Sequence, residues 1–386
     1  MIASLYLHIP FCVRKCLYCD FNSHAGMEHL FAPYVEAVKA EIRRDAERFH
    51  DALISTIYFG GGTPNILAPD QLAGILDEIR RSFQVAEGAE ITTEANPGVS
   101  SLQSTVSSLP RAGFNRLSLG VQSFNDDELR LLGRIHTVDE AIRAFDDARE
   151  AGFGNISIDL MYGIPGQALE SWRHTLHQAL DLAPEHVSLY SLTVEEGTPF
   201  HAMQVEGRLT LPGDEIEADM YEEAIRTLTS AGFEHYEISN FARPGFRCRH
   251  NITYWRNEPY FGFGAGATSC LPLLPGLGEG LGMRATNVPS PEEYIHRIEA
   301  GQDTKACEER LTGKPAMGET MFLGLRMLQG VNIESFARRH GVLPQEVFLE
   351  EIARLTERGL IEQADGAIRL TRRGLLLAND VFAEFV

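Results

Sequence analysis

Three cysteines crowd into one short run of this chain, Cys12-Val13-Arg14-Lys15-Cys16-Leu17-Tyr18-Cys19, and they are half of the 6 cysteines among 386 residues. Thiols this close, and odd in number, do not suit an ordinary disulfide framework; they suit a shared metal centre. Structural zinc closes its shell with four ligands, and only His24 lies near enough in sequence to complete a Cys3His site. An iron–sulfur cubane takes one cysteine per iron, so three cysteines would leave one iron open to a substrate or cofactor.

Other residues with chemical potential recur just after strand-like runs. Gly60-Gly61-Gly62-Thr63-Pro64 exposes backbone N–H and C=O groups to close approach but lacks the lysine of a phosphate-binding P-loop. Glu94 and Asp159 can accept from hydroxyls, and Arg134 can pair with a carboxylate. Further on, Cys248-Arg249-His250-Asn251-Ile252-Thr253-Tyr254-Trp255 brings a thiol, an imidazole and two large aromatics together within eight residues. Taken singly, each has a plain alternative: an acid at a strand end caps a helix, an arginine makes a surface ion pair, and a His-Asn turn before two aromatics packs a core.

The elements that must position these residues alternate. Strand-like runs at Ser4 to Ile9, Ser55 to Phe59, Glu90 to Glu94, Arg116 to Leu119, Asn155 to Leu160 and His186 to Ser191 are interleaved with helical patterns. Those patterns run from Leu30 to Phe49, Pro69 to Phe83 and Thr137 to Ala151. Repeated βαβ units of this kind, with chemistry at the C-terminal strand ends, predict an α/β fold: an open, partial (β/α)6 barrel. Beyond it come a helix from Asp214 to Ala231 and a strand from Tyr236 to Asn240. Gly262-Phe263-Gly264-Ala265-Gly266-Ala267 marks close backbone approach, and Leu271 to Met283 reads as an exposed loop. Helices at Glu319 to Leu328, Ile333 to His340 and Pro344 to Arg358, then a hairpin around Asp365-Gly366, predict a small winged-helix-like unit. The expected division is 1–232, 233–312 and 313–386.

A net charge of −20 argues against nucleic acid as a partner. No apolar run is long enough to span a membrane, and the N-terminus has no secretory pattern. A cytoplasmic location is expected, where clustered thiols stay reduced.

The C-x3-C-x2-C spacing, with Tyr18 before the third cysteine, resembles the radical S-adenosylmethionine (SAM) superfamily. The resemblance implies a [4Fe-4S] cluster on Cys12, Cys16 and Cys19, SAM on the open iron, and Tyr18 against the adenine. The likeness continues through Tyr6 to Cys12, Glu94-Ala95-Asn96-Pro97, Gly120 to Phe124, Leu132 to His136 and Asp159 to Gln167, which resemble motifs of the oxygen-independent coproporphyrinogen oxidase family. It implies that Tyr6, Gly61, Gly62, Thr63, Glu94, Gln122, Arg134 and Asp159 line the SAM pocket. Two features are similar to the haem-chaperone branch of that family instead: the cluster strand begins at residue 4, and Phe21 stands where the oxidase has a further cysteine. The H-N-x-x-Y-W run agrees, and implies haem binding: His250 as the ligand, imidazole being a standard axial ligand of haem iron, Cys248 as a second candidate, and Tyr254 and Trp255 stacked on the macrocycle. Thr268 stands where many relatives carry histidine, so no haem role is carried there. The expectation is a haem chaperone that passes haem to an acceptor protein, with contact to a membrane haem protein only peripheral. The alternatives are oxidative decarboxylation of coproporphyrinogen III, and a zinc-stabilised (β/α) protein without radical chemistry.

Overall fold

The computed structural model describes residues 1–99, 102–272 and 282–386. One sheet of 12 strands organises them. In chain order these are β1 (Ile2–Ile9), β2 (Leu53–Gly61), β3 (Gln84–Ala95), β4 (Arg116–Gln122), β5 (Ile156–Tyr162) and β6 (His186–Ser191). They are followed by β7 (Glu234–Glu237), β8 (Asn240–Ala242), β9 (Tyr260–Phe263), β10 (Thr268–Leu271), β11 (Met283–Asn287) and β12 (Lys305–Arg310). The first six lie side by side in sequence order and pair in parallel. β9 adds in parallel on the free side of β1 and continues through β10, β11 and β12 in antiparallel pairing. β8 and β7 extend the other edge. The sheet is an open partial barrel with extra C-terminal strands.

Alternation along each strand builds two different faces. On β1, Ala3, Leu5, Leu7 and Ile9 are buried outward against the helices, while Ser4, Tyr6 and His8 face inward. Register carries the inward set sideways: Ser4 lies beside Thr56, Tyr6 beside Tyr58, Thr56 beside Glu90, and Ser118 beside Glu94 and Ser157. The outer face is an apolar core and the inner face a polar lumen, unlike the branched apolar filling of a closed barrel.

The covering helices are α1 (Phe31–Arg48), α2 (Pro69–Ser82), α3 (Leu102–Ala112), α4 (Val138–Glu150), α5 (Leu169–Asp181) and α6 (Asp214–Ser230). Pro69 opens α2, and Thr137 with Glu140 forms a capping box at α4. A seventh helix, α7 (Arg249–Trp255), crosses the N-terminal ends of the strands.

Several elements depart from the sequence expectation. Tyr236 to Asn240 is not one strand: the chain turns at 238–239 and pairs β7 with β8. The C-terminal helix expected from Glu319 to Leu328 spans Gly313–Gly324 instead, because Gly313 and Gly318 obscure its first turns in composition. The helix expected from Pro344 to Arg358 breaks at Phe348 into Pro344–Val347 and Leu349–Glu357. The loop expected from Leu271 to Met283 has its ends in β10 and β11, and its middle, 273–281, lies outside the described residues. The last segment has its own apolar core, including Met321, Phe336, Phe348, Leu355, Ile368 and Phe382. It carries a three-stranded antiparallel sheet in which Ala367–Leu370 lies between Val331–Asn332 and Ile361–Ala364.

Close approach explains the glycine run. A Cβ on Gly264, whose φ is +99°, would fall 2.4 Å from Tyr34 Oη and 2.6 Å from the His8 carbonyl oxygen. That backbone is thereby pressed onto the strand that delivers the cysteine loop.

Candidate functional site

The C-terminal ends of β1 to β6 open on a cavity of 330 Å³, within the range that encloses small molecules and cofactors. Cys12, Cys16 and Cys19 all line it and are free thiols. The cysteine loop is tied down at its middle: Leu17 N–H donates to Leu132 O at 3.1 Å, and Phe200 N–H donates to Leu17 O at 3.0 Å. Thr63 Oγ1 donates to Cys12 Sγ at 3.4 Å, and Arg134 Nη1 to Cys16 Sγ at 3.5 Å. Burial pushes the Cys12 and Cys19 thiols up, so a metal binding there must displace their protons. Among the described residues, no three His, Cys, Asp or Glu side chains gather tightly enough to hold a single ion. A cubane makes a different demand, since it spreads the thiolates over separate irons.

The wall opposite is built from strand ends. Gly61 has a φ of +111°, and a Cβ there would meet the His8 ring at 2.6 Å; a Cβ on Gly62 would meet the Phe11 carbonyl at 2.6 Å. Only glycine lets this turn press so closely under the cysteine loop. Glu94 accepts from the Tyr58 hydroxyl at 2.9 Å and from Gly61 N–H at 3.1 Å. Burial, then the charge of Asp159, pushes its carboxyl up to about 7. Asp159 is also pushed up by burial, against hydrogen bonds from Ser188 and Ser118; Ser118 Oγ lies 3.1 Å from both of its oxygens. Gln122, at the cavity edge, holds a φ of 69°, a costly backbone state for a residue other than glycine and common at functional sites.

Tyr18, Gly61, Gly62, Thr63, Glu94, Gln122, Arg134 and Asp159 therefore share one cavity with the three cysteines. Tyr6 does not line it; its hydroxyl sits 3.0 Å from His8 Nδ1, deeper in the lumen. His250, Tyr254 and Trp255 lie away from it, on α7 at the other end of the strands. His250 is 1% exposed. Its Nδ1 is 2.7 Å from Thr56 Oγ1 and its Nε2 3.0 Å from Tyr254 Oη. Burial and then Arg116 lower its pKa to about 3, which keeps the ring neutral. Cys248 is sealed beside Glu90, its Sγ 3.7 Å from the carboxylate, and burial pushes the thiol up to about 12. Trp255 faces elsewhere, with the Arg326 guanidinium 4.3 Å from its ring centre. It lines a second cavity, of 410 Å³, with Met327 and Phe336 of the C-terminal segment.

Sequence reasoning missed Asn96, which donates to Thr63 Oγ1 at 2.8 Å and accepts from Arg134 Nη2 at 2.6 Å. It also missed Tyr58, Ser118 and Tyr190. All but Asn96 stand at the inward positions of strands whose other positions are apolar, so polar residues at every second place would have marked them.

The open parallel barrel with thiols at its C-terminal mouth defines a class, and residues 6–179 match the family model of the Radical SAM superfamily. Residues 311–377 match that of the HemN C-terminal domain. A solved coproporphyrinogen III oxidase (HemN) from Escherichia coli, a radical SAM enzyme, superposes with a TM-score of 0.83 at 26% identity, covering 100% of this chain and 89% of that one. Heme chaperone HemW of Bacillus subtilis is 41% identical over 385 residues, 99% of each chain. Heme chaperone HemW of Escherichia coli is 35% identical over 386 residues, 99% of this chain and 98% of the relative. The chain belongs to the heme chaperone HemW family of the radical SAM superfamily.

Membership implies a [4Fe-4S] cluster and SAM, and the residues present suit both. Three free thiols line one cavity together with Gly61, Gly62 and Thr63. Arg134 Nε is buried there with no hydrogen-bond partner among the described residues.

Proposed function

We propose that this chain is a haem chaperone on a radical-SAM scaffold. Cys12, Cys16 and Cys19 hold the cluster. Tyr18, Gly61, Gly62, Thr63, Glu94, Gln122, Arg134 and Asp159 surround SAM, and Tyr6 supports the wall through His8. His250 ligates haem, Tyr254 and Trp255 flank it, and haem passes to an acceptor protein. The observation that carries the reading is full-length likeness to proteins named heme chaperone, 41% identical over 385 residues.

When bound, the cluster supplies an open iron for SAM and an electron. The protein's share is positioning. Gly61 and Gly62 pack where a Cβ would collide with the His8 ring and the Phe11 carbonyl, which holds this wall close beneath the cysteine loop. Glu94 and Asp159 accept from hydroxyls, and Arg134 fixes the loop that carries Cys16. The acceptor is a haem protein. One embedded in a membrane would be met at its surface, since no described helix is long and apolar enough to cross a bilayer. Reduced thiols at the cluster loop suit the cytoplasm.

The test uses anaerobically reconstituted protein. Iron and acid-labile sulfide should be present in cubane proportion, a haemin titration should develop a saturable Soret band, and adding an apo-haem protein should replace that band with the acceptor's own. Zinc without sulfide, or no saturable haemin band, would sink the reading. A second reading, coproporphyrinogen III oxidase, draws on the 0.83 superposition. It requires deoxyadenosine to form in step with protoporphyrinogen in the same preparation.

A further inference from the structure

The haem ligand proposed above is out of reach in this structure. His250 lies in the polar lumen, its ring stacked on Tyr58 at 4.9 Å and met edge-on by Tyr254 at 5.0 Å. Thr56 Oγ1 donates to Ser4 Oγ at 2.7 Å, so toward His250 Nδ1 it can only accept. The neutral imidazole therefore carries its proton on Nδ1, and its lone pair is on Nε2. An iron can use only that lone pair, and it is occupied by the Tyr254 hydroxyl at 3.0 Å. Tyr254 thus meets the imidazole through its hydroxyl and ring edge. Its ring also stands perpendicular to that of Tyr260, with the ring centres 4.7 Å apart.

The whole of α7 is fastened as a plug in the barrel floor. Glu90 accepts from the N–H groups of Arg249 and His250 at 3.1 and 3.0 Å, and Thr253 Oγ1 pairs with Ser4 Oγ at 2.9 Å. The other end is held by the C-terminal segment. Arg339 donates to the carbonyl oxygens of Arg256 at 2.9 Å and Asn257 at 2.8 Å, directly after the helix. Asn257 Nδ2 donates to Thr320 at 3.3 Å, and Arg326 covers the Trp255 ring.

We propose that α7 is a gate over the haem ligand: iron reaches His250 Nε2 only when the helix leaves the barrel floor, and Tyr254 from within and Arg339 from the C-terminal segment hold it shut. This rests on His250 being the haem ligand. The closed form binds no iron at that nitrogen, so the apparent affinity is the intrinsic one scaled by the fraction of open molecules. Weakening either fastening should raise it. In the same terms, the C-terminal segment sets when haem is taken up and released, which is what a carrier needs and a permanent haem protein does not.

The test compares haemin binding to the reconstituted wild type, Tyr254→Phe, Arg339→Gln and His250→Ala by stopped-flow absorbance and equilibrium titration. Tyr254→Phe removes only the hydroxyl on Nε2, and Arg339→Gln only the guanidinium on the helix end. Each should tighten binding or speed association by about fivefold, the size of one net hydrogen bond, with the histidine-ligated spectrum retained. His250→Ala should lose that spectrum. If His250→Ala keeps the wild-type spectrum and affinity, the ligand assignment fails. If it loses them while both other variants bind no faster and no tighter than wild type, the ligand stands and the gate is overturned. Circular dichroism at matched concentration guards each variant against misfolding; where one fastening variant fails to fold, the other decides the question.

Discussion

Glu94 provides a test that needs neither cofactor nor haem. Its carboxyl is pushed from 4.5 to about 7 by burial and by Asp159. Below the lower value both folded and unfolded chains hold the proton, and the group contributes no pH dependence. Between the two, the folded chain keeps a proton that the unfolded chain has released, so stability falls as pH rises. Above about 7 the loss is complete and constant. At about 1.4 kcal/mol per pH unit the span corresponds to about 3.5 kcal/mol, and the partial exposure of Glu94 to the cavity, which raises the local dielectric, trims this to about 2 kcal/mol. Glu94→Gln keeps the shape and the acceptor for Tyr58 but cannot ionise. Its amide opposes the Gly61 N–H, a cost that does not change with pH. Buried histidines such as His136, His235 and His250, all lowered, tilt stability the other way below pH 6.5, equally in both proteins. The informative quantity is therefore the difference between the two proteins. Urea unfolding of cluster-free protein at intervals from pH 4.5 to 8 should show the variant gaining on wild type by about 2 kcal/mol by pH 7. A difference that stays flat across this range would refute the burial argument for Glu94.

Three further outcomes follow from the same geometry. Cys16→Ala should leave the fold intact, with near-native circular dichroism, but lower iron and sulfide on reconstitution to a small fraction of wild type. Asn96→Ala removes the bridge between Thr63 and Arg134 and should weaken SAM binding about tenfold in an equilibrium assay, as expected when a positioning hydrogen bond to a charged group is lost. Gly264→Ala forces a Cβ onto Tyr34 Oη and the His8 carbonyl at a φ of +99°; it should cost about 3 kcal/mol, read as a fall in unfolding midpoint, whereas Gly207→Ala, with open space around it, should cost less.

The sequence made the cysteine loop and the glycine turn that share the cavity legible because both are short runs with local chemistry. Three thiols within Cys12 to Cys19 cannot be far apart, and Gly60 to Gly62 must turn whatever surrounds them. The barrel followed from alternation of strands and helices. What escaped was whatever depends on which face a strand presents across a register. Asn96 was quoted within its motif yet not recognised as the link between Thr63 and Arg134, because that link joins three separate βα units. Tyr58 and Ser118 looked like ordinary β-formers, and they hold Glu94 and Asp159 only once neighbouring strands are paired.

The H-N-x-x-Y-W run divides most sharply. By itself the sequence determined that an imidazole and two large aromatics lie within six residues, chemistry suited to haem. Only the tertiary structure decided where each one faces. One helical turn and a half carries His250 into the lumen, against Thr56 and Tyr254, and leaves Trp255 in another cavity beside the C-terminal segment. Sequence spacing sets how near residues are along a helix; whether a lone pair is free depends on what the rest of the chain brings against it.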